Sequence, residues 1–158
     1  MSGPSVGMPE SLAEIAADFR EATPSERLQL LLEFSDELPE LPQRYADAPE
    51  QLEQVHECQS PLFLAVEVDR QPGVDTADQR VDIFFSAPPE APTTRGFAGI
   101  LHEGLSGRTV AEVLGTADEA PMQFGLAEAV SPLRLRGMVA MLSRIKRQTA
   151  LKSAVPGP

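Results

Sequence analysis

The chain has 158 residues, 42% of them apolar, so it can bury one core as a single domain with a radius of gyration of roughly 15 Å. Thirteen basic residues stand against 24 acidic ones, a net charge of −11, which argues against non-specific binding to nucleic acid or an anionic bilayer and favours positively charged protein partners. A single cysteine, Cys58, excludes an internal disulfide framework and any four-thiolate zinc or iron–sulfur site within one chain.

Residues 1–10 carry two glycines and two prolines and read as a loose tail, with neither the basic nor the apolar region of a secretory leader. Ser11 and Glu14 make a capping box for a first helix bearing Leu12, Ile15, Ala16 and Phe19 and ending near Arg20. A sharper start follows, where Thr23 caps, Pro24 takes the first helical position and Glu26 completes the box. Leu28, Leu31, Leu32 and Ser35 line one stripe of this helix, widened by Leu30, Phe34 and Leu38. Pro39 and Pro42 stop it, because proline lacks the amide hydrogen and clashes with the preceding turn.

Leu41–Glu50 is proline-broken and acidic, a loop. Strand character begins around Glu53–Glu57 and strengthens at Leu62–Asp69, where Leu62, Leu64, Val66 and Val68 alternate with Phe63, Ala65, Glu67 and Asp69. Gln71–Asp78 is a polar turn, and Arg80–Ser86 is a further strand with Val81, Ile83 and Phe85 on one face. These segments predict an antiparallel meander.

Helices return after the prolines of Ala87–Pro92. Thr93 or Thr94 caps a helix carrying Phe97, Ile100, Leu101 and Leu105, in which Gly96, Gly99 and Gly104 allow close packing. Thr109 and Glu112 box a short helix with Val110, Val113 and Leu114 that stops at Gly115; Pro121–Ala129 is helical or irregular. Ser131-Pro132 opens the last helix, of about five turns, with Leu135, Met138, Val139, Leu142 and Ile145 on one face. Its tail cations Lys146, Arg147 and Lys152 offset the helix dipole, and residues 153–158 fray. Helices, then antiparallel strands, then helices predict an α+β fold, a compact sheet of about three strands covered by N- and C-terminal helices, with residues 11–150 as one domain.

The chemistry centres on Gln54-Val55-His56-Glu57-Cys58-Gln59-Ser60-Pro61. Cys58 lies between two strand-like runs in a polar segment closed by Pro61, where a loop tip presents the sulfur to another protein. In a strand His56 would point to the same side as Cys58. A Cys–His hydrolase needs His56 or His102 within about 3 Å of the thiol and a third group to hold the imidazole. No pair among Cys58, His56 and His102 has zinc-ligand spacing, a resolving cysteine for thiol redox chemistry is missing, and the glycines 96, 99, 104 and 107 form no phosphate-binding fingerprint. Uninterrupted apolar stretches such as Leu62–Val66 fall far short of a membrane span. One chemistry requires only one thiol: accepting a sulfane sulfur from another protein's persulfide, holding it as Cys–S–SH and releasing it to a third thiol.

Four segments, in consistent order over about residues 11–150, resemble the SufE family of sulfur-acceptor proteins. Leu28–Leu41 is similar to that family's helix ending in L-P-x-L. Val55–Phe63 is similar to V-x-G-C-Q-S-x-(V/L)-(W/F), Arg95-Gly96-Phe97 to (K/R)-G-L, and Ser131–Met138 to (T/S)-P-x-R-x-x-G-(L/M).

The resemblance implies a SufE/IscU-like fold with Cys58 as persulfide carrier, taking sulfur from a SufS-type cysteine desulfurase, stimulating it, and passing sulfur to iron–sulfur cluster assembly on a SufBCD-type scaffold. Pyridoxal phosphate then belongs to the desulfurase, and this chain carries no cofactor and no metal of its own. Gln59 and Ser60 shape the cysteine loop, and Arg134 organises the site or interface. The implied partners include neither nucleic acid nor membrane, a homodimer is among the compatible assemblies, and one free thiol points to a reducing cytoplasm. Two residues depart from the pattern: Glu57 stands where the family has Gly, bringing a carboxylate beside the thiol, and Phe63 replaces Trp. An IscU-like scaffold without catalysis is the alternative of a different class; the hydrolase, in which His56 would act on Cys58, is the third reading.

Overall fold

Alternation of apolar residues builds the sheet. In a computed structural model describing residues 7–153, β1 (Glu53–Gln54), β2 (Phe63–Asp69) and β3 (Arg80–Ser86) form an antiparallel meander in the order β1-β2-β3. The register sets Leu64 opposite Phe85, Val66 opposite Ile83 and Val68 opposite Val81, so one face is continuously apolar. Against the sheet pack α4 (Pro92–Leu105), on β3, and α6 (Pro132–Ser153), on β2; α1 (Glu10–Glu21) and α2 (Pro24–Glu37) pack in turn on α4. Two short helices, α3 (Gln43–Ala46) and α5 (Val110–Leu114), complete the α+β arrangement that the sequence order predicts.

The α2–α4 contact is close because α4 presents glycine to it. A Cβ on Gly96 would lie 2.5 Å from the Leu31 carbonyl oxygen, and one on Gly99 would run into the Phe34 backbone. Leu31 and Phe97 are fully buried at this contact, and burial of such a side chain is worth about 1.5–3 kcal/mol. Two arginines finish the N-terminal helices. Arg27 is buried and donates to the carbonyls of Phe19, Arg20 and Gly125, besides pairing with Glu128. Arg95 donates to the Ser35, Ala87 and Leu38 carbonyls at 2.9, 2.8 and 3.4 Å. Each satisfies the orphan carbonyls of a helix end, α1 and α2 respectively.

The capping boxes at Thr23–Glu26 and Thr109–Glu112 form as expected. The box at Ser11 does not. The helix starts at Glu10, so Ser11 falls within its first turn and its hydroxyl donates to the Gly104 carbonyl of α4 at 2.7 Å. Nor does Thr93 or Thr94 cap α4, which begins at Pro92 after Ala91. On α2 the buried stripe is Arg27, Leu31 and Ser35, continued by the buried C-cap residue Leu38, whereas Leu28 and Leu32 face solvent. The expected loop 41–50 contains α3, whose Tyr45 covers the outer sheet face and donates to Glu67 at 2.6 Å. Residues 121–129 are two 3-10 turns joined at Gly125, which holds a left-handed φ of 65°.

Residues 7–10 and 153, which the sequence assigns to tails, are packed. The Gly7 carbonyl accepts from the Ala117 N–H at 2.6 Å and Pro9 is buried, so residues 7–10 belong to the packed domain. At the other end Ser153 is the last residue of α6 and is buried. Residues 1–6 and 154–158 lie outside the described range.

The sheet edges are closed by side chains and loops. On the β3 side, Val81 exchanges backbone hydrogen bonds with Arg108 and Gly107, and the Ile83 N–H donates to Ser106 Oγ. On the β2 side β1 is only two residues long, and α6 takes over beyond it: the Val66 N–H donates to Gln148 Oε1 at 2.9 Å and Lys152 donates to the Val66 carbonyl. The tail cations therefore do more than offset a dipole. Arg147 pairs with Glu53, and Lys146 donates to the Thr116 carbonyl and pairs with Asp118.

Candidate functional site

The cysteine loop is pinned at its base and open at its tip. Val55 and Leu62 are fully buried, and the Val55 N–H donates to the Leu62 carbonyl at 2.9 Å, closing residues 55–62 into a loop. Inside it the Cys58 N–H donates to the Val55 carbonyl at 3.2 Å, a tight turn. His56, Glu57, Gln59 and Pro61 are exposed, Ser60 is partly exposed and Cys58 is half-buried. The strand expected to reach Glu57 thus ends at Gln54, because the chain turns to bring Cys58 down onto α6. Glu57 occupies the family's glycine position without strain, since no described residue other than glycine has a positive φ.

Cys58 rests on Gly137. A Cβ at Gly137 would lie 3.0 Å from Cys58 Sγ, so the missing side chain makes the seat for the sulfur. Burial there pushes the thiol pKa up to about 11, the Glu57 charge adds to the rise, and the Arg144 charge opposes it. Glu57 is itself gripped. Its carboxylate accepts from Arg144 Nη1 at 3.0 Å and lies 2.9 Å from Nη2, a two-pronged pair that holds the carboxyl below the usual range. Arg144 Nε also lies 3.6 Å from Glu53.

Arg144 was not among the sequence candidates, although its position was readable. It follows Gly137 by seven residues, so the two share a helix face. Arg134, the expected organiser, is exposed; its N–H donates to Ser131 Oγ at 3.3 Å, and its side chain makes no hydrogen bond or ion pair with another described residue. Gln59 and Ser60 likewise make no side-chain hydrogen bond to a described residue. Among the described residues no hydrogen bond joins the Cys58 thiol to His56 or His102. His102 sits on α4, beside a small cavity of about 80 Å³ lined also by Leu38, Pro39 and Phe85, where burial pushes its pKa below the ordinary value. Within the same range no cluster of three or more His, Cys, Asp or Glu is placed to hold a metal ion, and no helix is long and apolar enough to cross a membrane.

A three-strand antiparallel meander under helices, with the chain's one cysteine on the loop between the first two strands, defines a small α+β domain. The chain belongs to the SufE family: the family model described as SufE, an Fe-S metabolism associated domain, matches residues 13–149. Uncharacterised SufE-like proteins from two strains of Mycobacterium tuberculosis are 50% identical over 142 residues, covering 89% of this chain and 92% of each relative. A SufE-like protein 1 of Arabidopsis thaliana, chloroplastic/mitochondrial, is 32% identical over 80 residues, 51% of this chain and 21% of that longer protein. Among solved structures, a hypothetical protein of Thermus thermophilus matches with a TM-score of 0.74 and 36% identity, covering 92% of this chain and 97% of the other. The protein's role lies in iron–sulfur metabolism.

Proposed function

We propose that the protein is a sulfur acceptor and carrier, receiving sulfane sulfur on Cys58 from a SufS-type cysteine desulfurase and delivering it to a SufBCD-type assembly scaffold. The Cys58 thiolate attacks the terminal sulfur of the desulfurase persulfide. A new S–S bond forms at Cys58, the donor's S–S bond breaks, and the electron pair leaves on the donor cysteine as thiolate. The sulfane sulfur keeps its oxidation state throughout. No cofactor of this chain is needed; pyridoxal phosphate acts on the desulfurase, in a reducing cytoplasm.

One observation carries this reading: the chain's single thiol sits at the tip of a loop whose base is fixed and whose tip is solvent-facing, with the sulfur seated on a glycine. Such a loop shields a persulfide at rest and can present it. A thiol with a pKa near 11 is only about one part in ten thousand thiolate at neutral pH, so docking must also activate it. Arg134 and Leu133, exposed on α6 one turn before Gly137, supply a cation and an apolar contact for the partner.

Incubation with an active SufS-type desulfurase and cysteine should add about 32 Da to Cys58, removable by reductant, and Cys58→Ser should abolish both the adduct and the stimulation of the desulfurase. An unmodified Cys58 beside a turning-over desulfurase overturns the reading.

A further inference from the structure

The loop's connection to the rest of the molecule is narrow. Among the described residues, the pairing of Glu57 with Arg144 is the one side-chain hydrogen bond or ion pair that ties residues 56–61 to another element. It joins positions 87 residues apart and fastens the segment bearing Cys58 to the helix on which the sulfur rests. The carboxylate is 47% exposed and the arginine 21%, so water competes for both partners and the hold is weak. A loop that must release its sulfur needs a hold of that kind.

The Arg144 charge also reaches the Cys58 thiol, where it opposes the rise in pKa. Side chains on a helix lean toward its N-terminus, so Arg144 leans back along the face it shares with Gly137. In the closed state its charge is committed to Glu57, with Glu53 3.6 Å from Nε. The other charged or titratable groups facing this region are Arg147 of α6, itself paired with Glu53, and His56 on the loop.

We propose that Glu57 and Arg144 form a latch on the cysteine loop, and that Arg144, released from Glu57, positions the anionic sulfur of Cys58. This rests on the carrier reading and deepens it by naming the device that keeps the sulfur silent until a partner opens the loop. Closed, the latch holds the thiol on Gly137 beside a carboxylate. Open, the carboxylate leaves and a guanidinium takes its place as the nearest charge. Glu57 at the position where the family resemblance has Gly thereby acquires a function: it makes the resting thiol less reactive and ties activation to movement of the loop.

The test uses the full chain without any desulfurase, following iodoacetamide alkylation of Cys58 against pH. In Glu57→Gln the midpoint should fall by about one pH unit and the rate near about pH 7.5 should rise about tenfold. Arg144→Gln also unfastens the loop but removes the cation and leaves the carboxylate, so its midpoint should fall less than that of Glu57→Gln. In the Glu57→Gln background, Arg144→Lys should keep the lowered midpoint and Arg144→Gln should raise it part of the way back. A Glu57→Gln profile superimposable on the unchanged chain overturns the latch, and equal lowering of the midpoint by Glu57→Gln and Arg144→Gln overturns the role of Arg144. Glu57 is exposed, so its variant folds, and thermal melts check each chain. Because sulfur acceptance from a desulfurase is measured separately by mass, failure of the latch and failure of the carrier reading are distinguishable.

Discussion

Helix α6 secures the β2 edge near its C-terminal end and the cysteine loop nearer its middle, through two chemically different sets of contacts. At the sheet, Gln148 and Lys152 bond the backbone of Val66, groups that would otherwise be stranded where β1 stops. At the loop, Arg144 bonds an exposed carboxylate that water could serve as well. Losing the first leaves buried backbone polar groups unpaired; losing the second leaves two solvated charges. The same helix therefore makes one contact that opposes opening and one that permits it. The proposed sulfur transfer uses the second.

The comparison is tested most strongly by pH, because only the loop end carries a thiol. With a pKa near 11, Cys58 alkylation should climb about tenfold per pH unit from about pH 7 to about pH 10 without a plateau, whereas the denatured chain levels off near the ordinary thiol value of 9.0. Folding raises this pKa, so the folded state holds the proton more tightly. Stability linked to Cys58 is therefore fully present below about pH 9 and is lost as pH rises toward about 11. A plateau already at about pH 9 in the folded protein would show the thiol to be unburied and the two ends less distinct than described.

The second test breaks the sheet end. Gln148→Ala removes the acceptor for the Val66 N–H and the donor to Glu53 at 2.8 Å, and should cost about 1–3 kcal/mol by denaturant unfolding, with the alkylation rate of Cys58 little changed. A large rise in that rate would mean that the two ends open together.

The split also explains what the amino-acid order could reveal. The meander was legible because Leu64, Val66, Val81, Ile83 and Phe85 alternate with period two and meet across β2 and β3 in register. The second and fifth helix starts were legible from their capping boxes, where the deciding hydrogen bonds are local. Ser11 misled because its hydroxyl had a long-range partner, Gly104, that no local pattern encodes. For the same reason apolar spacing points to Leu28 and Leu32 and passes over Arg27, whereas the buried face of α2 is set by the glycines of α4 and by the carbonyls Arg27 reaches, both distant in sequence. At the site, Cys58 and Glu57 stood out in the string itself. Arg144 did not, since its importance depends on a pairing across 87 residues. The Glu57 charge acts on the thiol by adding to the rise of its pKa.

The smallest effect concerns the seat of the sulfur, and it contrasts two glycines. Gly137→Ala puts a Cβ 3.0 Å from Cys58 Sγ, too close to keep, but the obstacle is the end of a short side chain on a loop held by one ion pair. The sulfur should yield outward while alanine improves the intrinsic helix propensity of α6 by up to about 1 kcal/mol. Stability should stay level or rise slightly, and alkylation of Cys58 should quicken by about two- to fivefold as the thiol gains access to water. Gly96→Ala meets the Leu31 carbonyl at 2.5 Å, backbone fixed between two helices that cannot yield, and should cost about 1–3 kcal/mol with no gain in thiol reactivity. If Gly137→Ala instead destabilised the protein as much as Gly96→Ala and left alkylation unchanged, the cysteine loop would be as rigid as the helix packing. A resting thiol held that firmly on α6 could not be handed to a partner by opening one ion pair.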